Sequence, residues 1–175
     1  MTKLYCDTSN LTDIQNCIKK YKINGVTTNP SIMRKEGVKK YREHCDKILN
    51  IIKNKPLSVE VFADNDREII SQAIKISNWN KFIYVKVPVI NTKGKFLKKV
   101  IKELNNKKIK LNITAVFTIK QMNKIKNEIN KKTPVIISIF CGRIADSGID
   151  PEPIVLKAKK MFKNFKNVMI LWASV

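Results

Sequence analysis

The chain reads as an α/β protein, a (β/α)8 TIM barrel that stops after its seventh strand. Three observations predict this. β-rich runs alternate with helix-period segments along the whole chain, the strands turn polar at one common end, and no glycine-rich phosphate turn follows any of them. Strands joined through helices in this way form a parallel sheet with right-handed crossovers, either doubly wound or rolled toward a barrel.

The strand signals are β-branched and aromatic runs at 4–6, 25–28, 57–62, 82–87, 110–113, 135–140 and 168–173. Between them, residues 11–21, 38–53, 66–78, 95–105, 119–130 and 154–165 carry apolar side chains near i, i+3 and i+4, the period of a helix with one buried face. Asn10, Asp66, Thr118 and Pro153 mark helix starts. A short polar side chain can accept a bond from the first unpaired amides, and proline suits the first helical turn. The result is a βα unit repeated six times and then a seventh strand.

Residue alternation within the strands separates the two architectures. Leu57, Val59 and Val61 share one face, Ser58 and Glu60 the other. The same split sets Ile83, Val85 and Val87 against Tyr84 and Lys86, Ile109, Leu111 and Ile113 against Lys110, Asn112 and Thr114, and Val135, Ile137 and Ile139 against Ser138 and Phe140. Asp7 ends the first strand and Asn29 follows the second. A doubly wound sheet gathers its site at one switch point, whereas polar residues at the same end of six strands describe the mouth of a barrel. Residues 1–175 are therefore expected to be one barrel domain lacking its C-terminal helices and eighth strand, a deficit of roughly 40 residues.

Composition narrows the function classes. With 43% hydrophobic residues, five Gly and six Pro, the chain is neither collagen-like nor low-complexity. No apolar run approaches the roughly 20 residues of a membrane helix, and no secretory pattern opens the chain, so a cytoplasmic protein without membrane contact is expected. Lys+Arg 35 against Asp+Glu 14 gives a net charge of +21. Arginine occurs only as Arg34, Arg42, Arg67 and Arg143, and lysine is scattered in pairs through nearly every helix. Such spreading decorates solvated faces instead of building a nucleic-acid footprint, while its field still attracts small anions. Cys6, Cys17, Cys45 and Cys141 lack metal-ligand spacing and read as free thiols. The single histidine, His44, lies in a polar helical stretch and reads as an ordinary surface residue, so no metal is expected.

Lys86 is the most informative residue. It sits in the middle of the apolar run 82–89, where desolvation lowers a lysine pKa and frees the amine to attack a carbonyl. Glu60 is inside the neighbouring strand and could hand protons through a water. The plainer alternative is an ion pair that only compensates two buried charges. Asp7, Asn29, Asn112, Thr114 and Ser138 could each be turn or cap residues, Asn29 above all, within Thr27-Thr28-Asn29-Pro30-Ser31. Their common placement argues against separate coincidences.

Gly25-Val-Thr-Thr-Asn-Pro-Ser31, Ser58-Val-Glu-Val61, Val85-Lys-Val-Pro88, Leu111-Asn-Ile-Thr114 and Gly142-Arg-Ile144, in this order, resemble the transaldolase family from Met1 onward. The resemblance implies a (β/α)8 barrel running class I aldolase chemistry with no metal or organic cofactor. It implies Lys86 as Schiff-base lysine, Asp7 as the acid/base at the substrate C4 hydroxyl, and Glu60 with Thr114 as a water-holding relay. It further implies that Asn29, Asn112 and Ser138 bond substrate, that Thr27 and Thr28 line the same region, and that Arg143 and Ser174 bind its phosphate. Glu60 and Phe140 stand where a related fructose-6-phosphate aldolase branch usually has Gln and Tyr, which favours transfer over simple cleavage. The expected function is transfer of a dihydroxyacetone unit between sugar phosphates, as in the pentose phosphate pathway, by a protein that can assemble as a homo-oligomer. The alternatives are an aldolase-like lyase, a truncated inactive relative and a basic protein that binds polyanions. The second phosphate arginine, the last helices and the eighth strand of the family pattern are not in these 175 residues.

Overall fold

The computed structural model describes residues 2–175. Seven strands form one parallel sheet in strictly sequential order: β1 (Leu4–Asp7), β2 (Ile23–Thr27), β3 (Leu57–Glu60), β4 (Ile83–Pro88), β5 (Leu111–Val116), β6 (Val135–Phe140) and β7 (Val168–Ala173). Eight helices join them: α1 (Leu11–Lys20), α2 (Pro30–Lys35), α3 (Tyr41–Ile52), α4 (Asp66–Ser77), α5 (Lys98–Asn106), α6 (Ile119–Lys126), α7 (Cys141–Asp146) and α8 (Glu152–Met161). Strictly sequential parallel pairing is the order of a curling TIM barrel; a doubly wound sheet would reverse direction at a switch point. The curl stays open, with β1 and β7 as the two edges.

The main core lies between sheet and helices. Val59, Val85, Ile113, Ile137 and Ile139 of the strands pack with Ile14, Ile48, Ile69, Ile101, Met122 and Ile125 of the helices, all fully buried. These are the alternating strand positions and helix-period positions that sequence patterning assigns to one face. Each fully buried side chain of this size stabilises by about 1.5–3 kcal/mol. Ile136 is equally buried but lies outside that cluster, on the Ser138 side of β6.

Helix ends follow local chemistry. Asn10 Oδ1 accepts from the Asp13 amide at 3.0 Å, while Lys19 and Lys20 close α1 where the helix dipole is negative. Thr118 and Gln121 form a reciprocal capping box on α6. For α4 the capping side chain is that of Asn65, one residue before the expected Asp66.

Several boundaries differ from the expectation. The turn at Asn91–Gly94 and the antiparallel bridge between Ile90 and Phe96 keep the chain extended, so α5 starts at Lys98 and not near residue 95. α6 ends at Lys126 because Asn130 is used elsewhere. Its amide donates to Asn105 Oδ1 at 2.7 Å and its side chain to Thr133 Oγ1 at 3.2 Å. α2 and α7 were not expected, since six residues are too few to show a helical period.

Candidate active site

Register brings the polar strand residues into rows. Asp7 pairs with Thr27, and Thr27 with Ser58; two residues further along β3, Glu60 pairs with Lys86, and Lys86 with Asn112. Parallel strands in register put the side chains of each row on the same face.

Lys86 is 7% exposed. Its Nζ lies 3.1 Å from Glu60 Oε2 and donates to the Thr28 carbonyl oxygen at 3.2 Å. Burial pushes the Glu60 carboxyl above its ordinary pKa; the Lys86 charge and hydrogen bond pull it down, and Asp7 nearby adds a smaller upward push. Next to the pair runs a line of neutral groups: Ser138 Oγ donates to Asn112 Oδ1 at 2.7 Å, and Asn112 Nδ2 donates to Ser58 Oγ at 3.0 Å. Asn112 is thus locked in one amide orientation.

Thr114 is almost completely buried, yet its hydroxyl finds no partner among the described residues. A bulge between Ile113 and Val116 interrupts the ladder here, with Ala115 in the left-handed region at φ 56°. The bulge re-aims this end of β5. A buried hydroxyl left without a partner costs about 1–3 kcal/mol, and Ser9 Oγ, Asn105 Nδ2 and Asn167 Oδ1 share this condition among the described residues.

Asp7 is exposed at the open edge and is held by Thr27, whose hydroxyl donates to Oδ1 at 2.6 Å. The Thr28 hydroxyl bonds the Ser58 carbonyl at 3.1 Å. Seven of the expected residues therefore fall in three bonded groups: Asp7 with Thr27, Lys86 with Glu60 and Thr28, and Asn112 and Ser138 with Ser58. The remaining expected residues lie outside these groups. Asn29 caps α2, accepting from the Ile32 amide at 2.9 Å, which is the local role foreseen as its alternative. Arg143 is 68% exposed on its side chain and ion-pairs with Asp146 at 3.5 Å on α7. Phe140 packs edge-on against Phe117 with centroids 5.6 Å apart. Ser174 follows β7 at φ 57°, and its carbonyl oxygen lies so close over Gly142 that no Cβ fits there.

His44 corrects one expectation. It is not a free surface residue: Nε2 lies 2.7 Å from the Ser9 carbonyl oxygen and is part-buried, pinning the loop between β1 and α1. Two residues near the site were not anticipated. Ser58 shares the Glu60 face two residues upstream, so strand alternation could have found it. Tyr41 opens α3 and donates its hydroxyl to the Glu60 carbonyl oxygen at 3.2 Å, a contact with no signal in the sequence because α3 and β3 meet only in the fold. Burial, first of all, raises the Tyr41 phenol pKa, so it stays a donor.

Among the described residues no group of three or more His, Cys, Asp and Glu could hold a metal ion, and no helix is long and apolar enough to cross a membrane.

Residues 4–175 match the family model described as transaldolase/fructose-6-phosphate aldolase. The chain is 34% identical to a probable transaldolase of Thermoplasma volcanium, over 99% of this chain and 75% of that protein. It is also 34% identical to a probable transaldolase of Bacteroides thetaiotaomicron, over 99% of this chain and 77% of that protein. A dihydrodipicolinate synthase structure from Rhodopseudomonas palustris overlays 98% of this chain and 65% of its own at 10% identity, with a TM-score of 0.45.

Proposed function

Since the chain belongs to the transaldolase/fructose-6-phosphate aldolase family, we propose that it transfers a dihydroxyacetone unit between sugar phosphates through a Schiff base on Lys86. One observation carries the reading: a lysine amine buried inside a parallel sheet, 3.1 Å from a carboxyl whose pKa burial has raised. A buried ammonium needs a reason, and a carboxyl moved toward neutral pH is suited to exchanging its proton.

In this reading Glu60 accepts the Lys86 proton, and the free amine adds to the ketose C2 carbonyl. The carbinolamine loses water to give the imine, with Glu60 and the unpartnered Thr114 hydroxyl holding the water that carries the protons. Asp7, oriented by Thr27, takes the proton of the C4 hydroxyl, and the C3–C4 bond breaks. The aldose phosphate leaves and the enamine stays on Lys86. Attack of the enamine on an acceptor aldehyde, followed by hydrolysis, completes the transfer. Asn112, fixed by Ser58 and Ser138, is a donor for the substrate hydroxyls, as is the Asn29 region. Arg143 and Ser174 would take the phosphate, which then has to displace Asp146 from Arg143. The protein works on these sugar phosphates in the cytoplasm and needs neither metal nor organic cofactor in this mechanism.

The test is borohydride reduction in the presence of fructose 6-phosphate, followed by peptide mass mapping. The reading requires a stable adduct on Lys86 that is lost in Lys86→Arg, because guanidinium cannot form the imine. A folded chain without an adduct would sink it and leave an inactive relative. Rapid release of free dihydroxyacetone without an acceptor would replace transfer by the lyase reaction.

A further inference from the structure

The interior site leaves one pair of reactive side chains unused. Cys6 lies between Tyr5 and Asp7 on β1, so strand alternation turns it to the opposite face, the one covered by α1. α1 carries Cys17 to the same place, and the two sulfurs stand 3.0 Å apart. A disulfide bond is about 2.05 Å long, so a movement of about 1 Å, within the reach of side-chain rotation, would join them. Cys6 is buried and Cys17 half-buried. Both border a surface hollow of about 380 Å³ that is also lined by Asp13, Lys20 and Tyr21 and is large enough to admit a small oxidant. Cys45 and Cys141 are buried on α3 and α7, each without a cysteine partner.

We propose that Cys6 and Cys17 are a modification site at which a small hydroperoxide forms an intrachain disulfide between β1 and α1. The Cys17 sulfur attacks the terminal peroxide oxygen, the O–O bond breaks, and Cys17 becomes a sulfenic acid as the first alcohol or water leaves. The Cys6 sulfur then displaces the sulfenic hydroxyl, which departs with the Cys6 proton as water. Two thiols lose two electrons and two protons, and the hydroperoxide takes up both. The order is set by position. Cys6 is the deeper of the two, and burial, followed by the hydrogen bond to Cys17, pushes its thiol up to about 12, so it waits as the resolving group. The new link closes a short loop beside Asp7 and does not depend on the reading of the interior.

The full chain would be treated with hydrogen peroxide, alkylated and mapped under non-reducing conditions. The expected product has lost two hydrogens, links the peptides of Cys6 and Cys17, carries alkylated Cys45 and Cys141, and reverts with dithiothreitol. The oxidised form should melt roughly 6–11 °C higher, from the entropy of an ~12-residue loop. Cys6→Ser, which keeps the fold while removing the resolving thiol, should leave Cys17 to proceed to sulfinic acid. Overoxidised Cys17 with Cys6 still free in the unmutated chain, or a link to any other cysteine, would overturn the proposal.

Discussion

Replacing Lys86 by Met keeps the apolar stem and removes the charge, so the cost of the change is carried by Glu60. At the 3.1 Å separation of this pair two unit charges attract by about 5 kcal/mol with an effective dielectric of 20. Desolvation of both groups offsets much of that. Breaking a fully buried pair costs about 3–5 kcal/mol, and the 20% exposure left to the Glu60 side chain brings the expectation to roughly 2–3 kcal/mol. The deficit depends on pH. Burial raises the Glu60 pKa and Lys86 holds it down, so in Lys86→Met it moves higher still. A carboxyl whose folded pKa exceeds its unfolded one supports stability below the unfolded value and loses that support as pH rises toward the folded one, by up to about 1.4 kcal/mol per pH unit. Relative to the unmutated protein, the deficit should be small near the ordinary carboxylate value of 4.5 and full-sized at neutral and alkaline pH. With a urea m-value of about 2 kcal/mol/M, the midpoint should fall by roughly 1–1.5 M at high pH. Lys86→Met/Glu60→Gln has no carboxyl left to titrate and should show no such slope. A deficit of equal size at both ends of the pH range, or one that persists with its slope in the double variant, would refute the linkage between these two groups.

Thr114→Val should stabilise the fold by about 1 kcal/mol, because it removes an unpartnered buried hydroxyl in an isosteric way, while imine formation on Lys86 slows by on the order of 10²-fold. Thermal melts and timed borohydride trapping read the two effects, and a variant that is less stable with unchanged trapping would argue for a purely structural hydroxyl. Gly142→Ala adds helix propensity worth up to about 1 kcal/mol, but its Cβ lands on the Ser174 carbonyl, an overpacking of about 1–3 kcal/mol. Hydrogen exchange should therefore quicken at Trp172 to Ser174, and protection there equal to that of the parent chain would contradict the contact.

The seven strands and the polar end of the sheet were legible because parallel strands covered by helices need an alternating apolar face, and that need is written locally, two residues at a time. β6 and β7 match the expected bounds for the same reason. Boundaries failed where a distant partner competes for the backbone, as Asn105 does for the Asn130 amide beyond the end of α6. The short helices α2 and α7 lie below the length at which periodicity can be read, although Asn29 and Pro30 already carried the cap and first-turn chemistry of α2.

Within the site, sequence alone determined which side chains are polar inside apolar strands, and hence that Lys86 and Glu60 needed an explanation. Charge in an apolar run is costly wherever the strand ends up, so burial could be inferred before any contact was known. Only the tertiary structure decided the pairings: that Lys86 meets Glu60 and the Thr28 carbonyl, that Thr27 holds Asp7, that Tyr41 backs Glu60, that His44 pins the β1–α1 loop, and that Cys6 and Cys17 touch. Each of these contacts joins residues on different elements. Their distances are set by strand register and by how helices lie on the sheet, which follow from packing of the whole domain and not from any local run of residues.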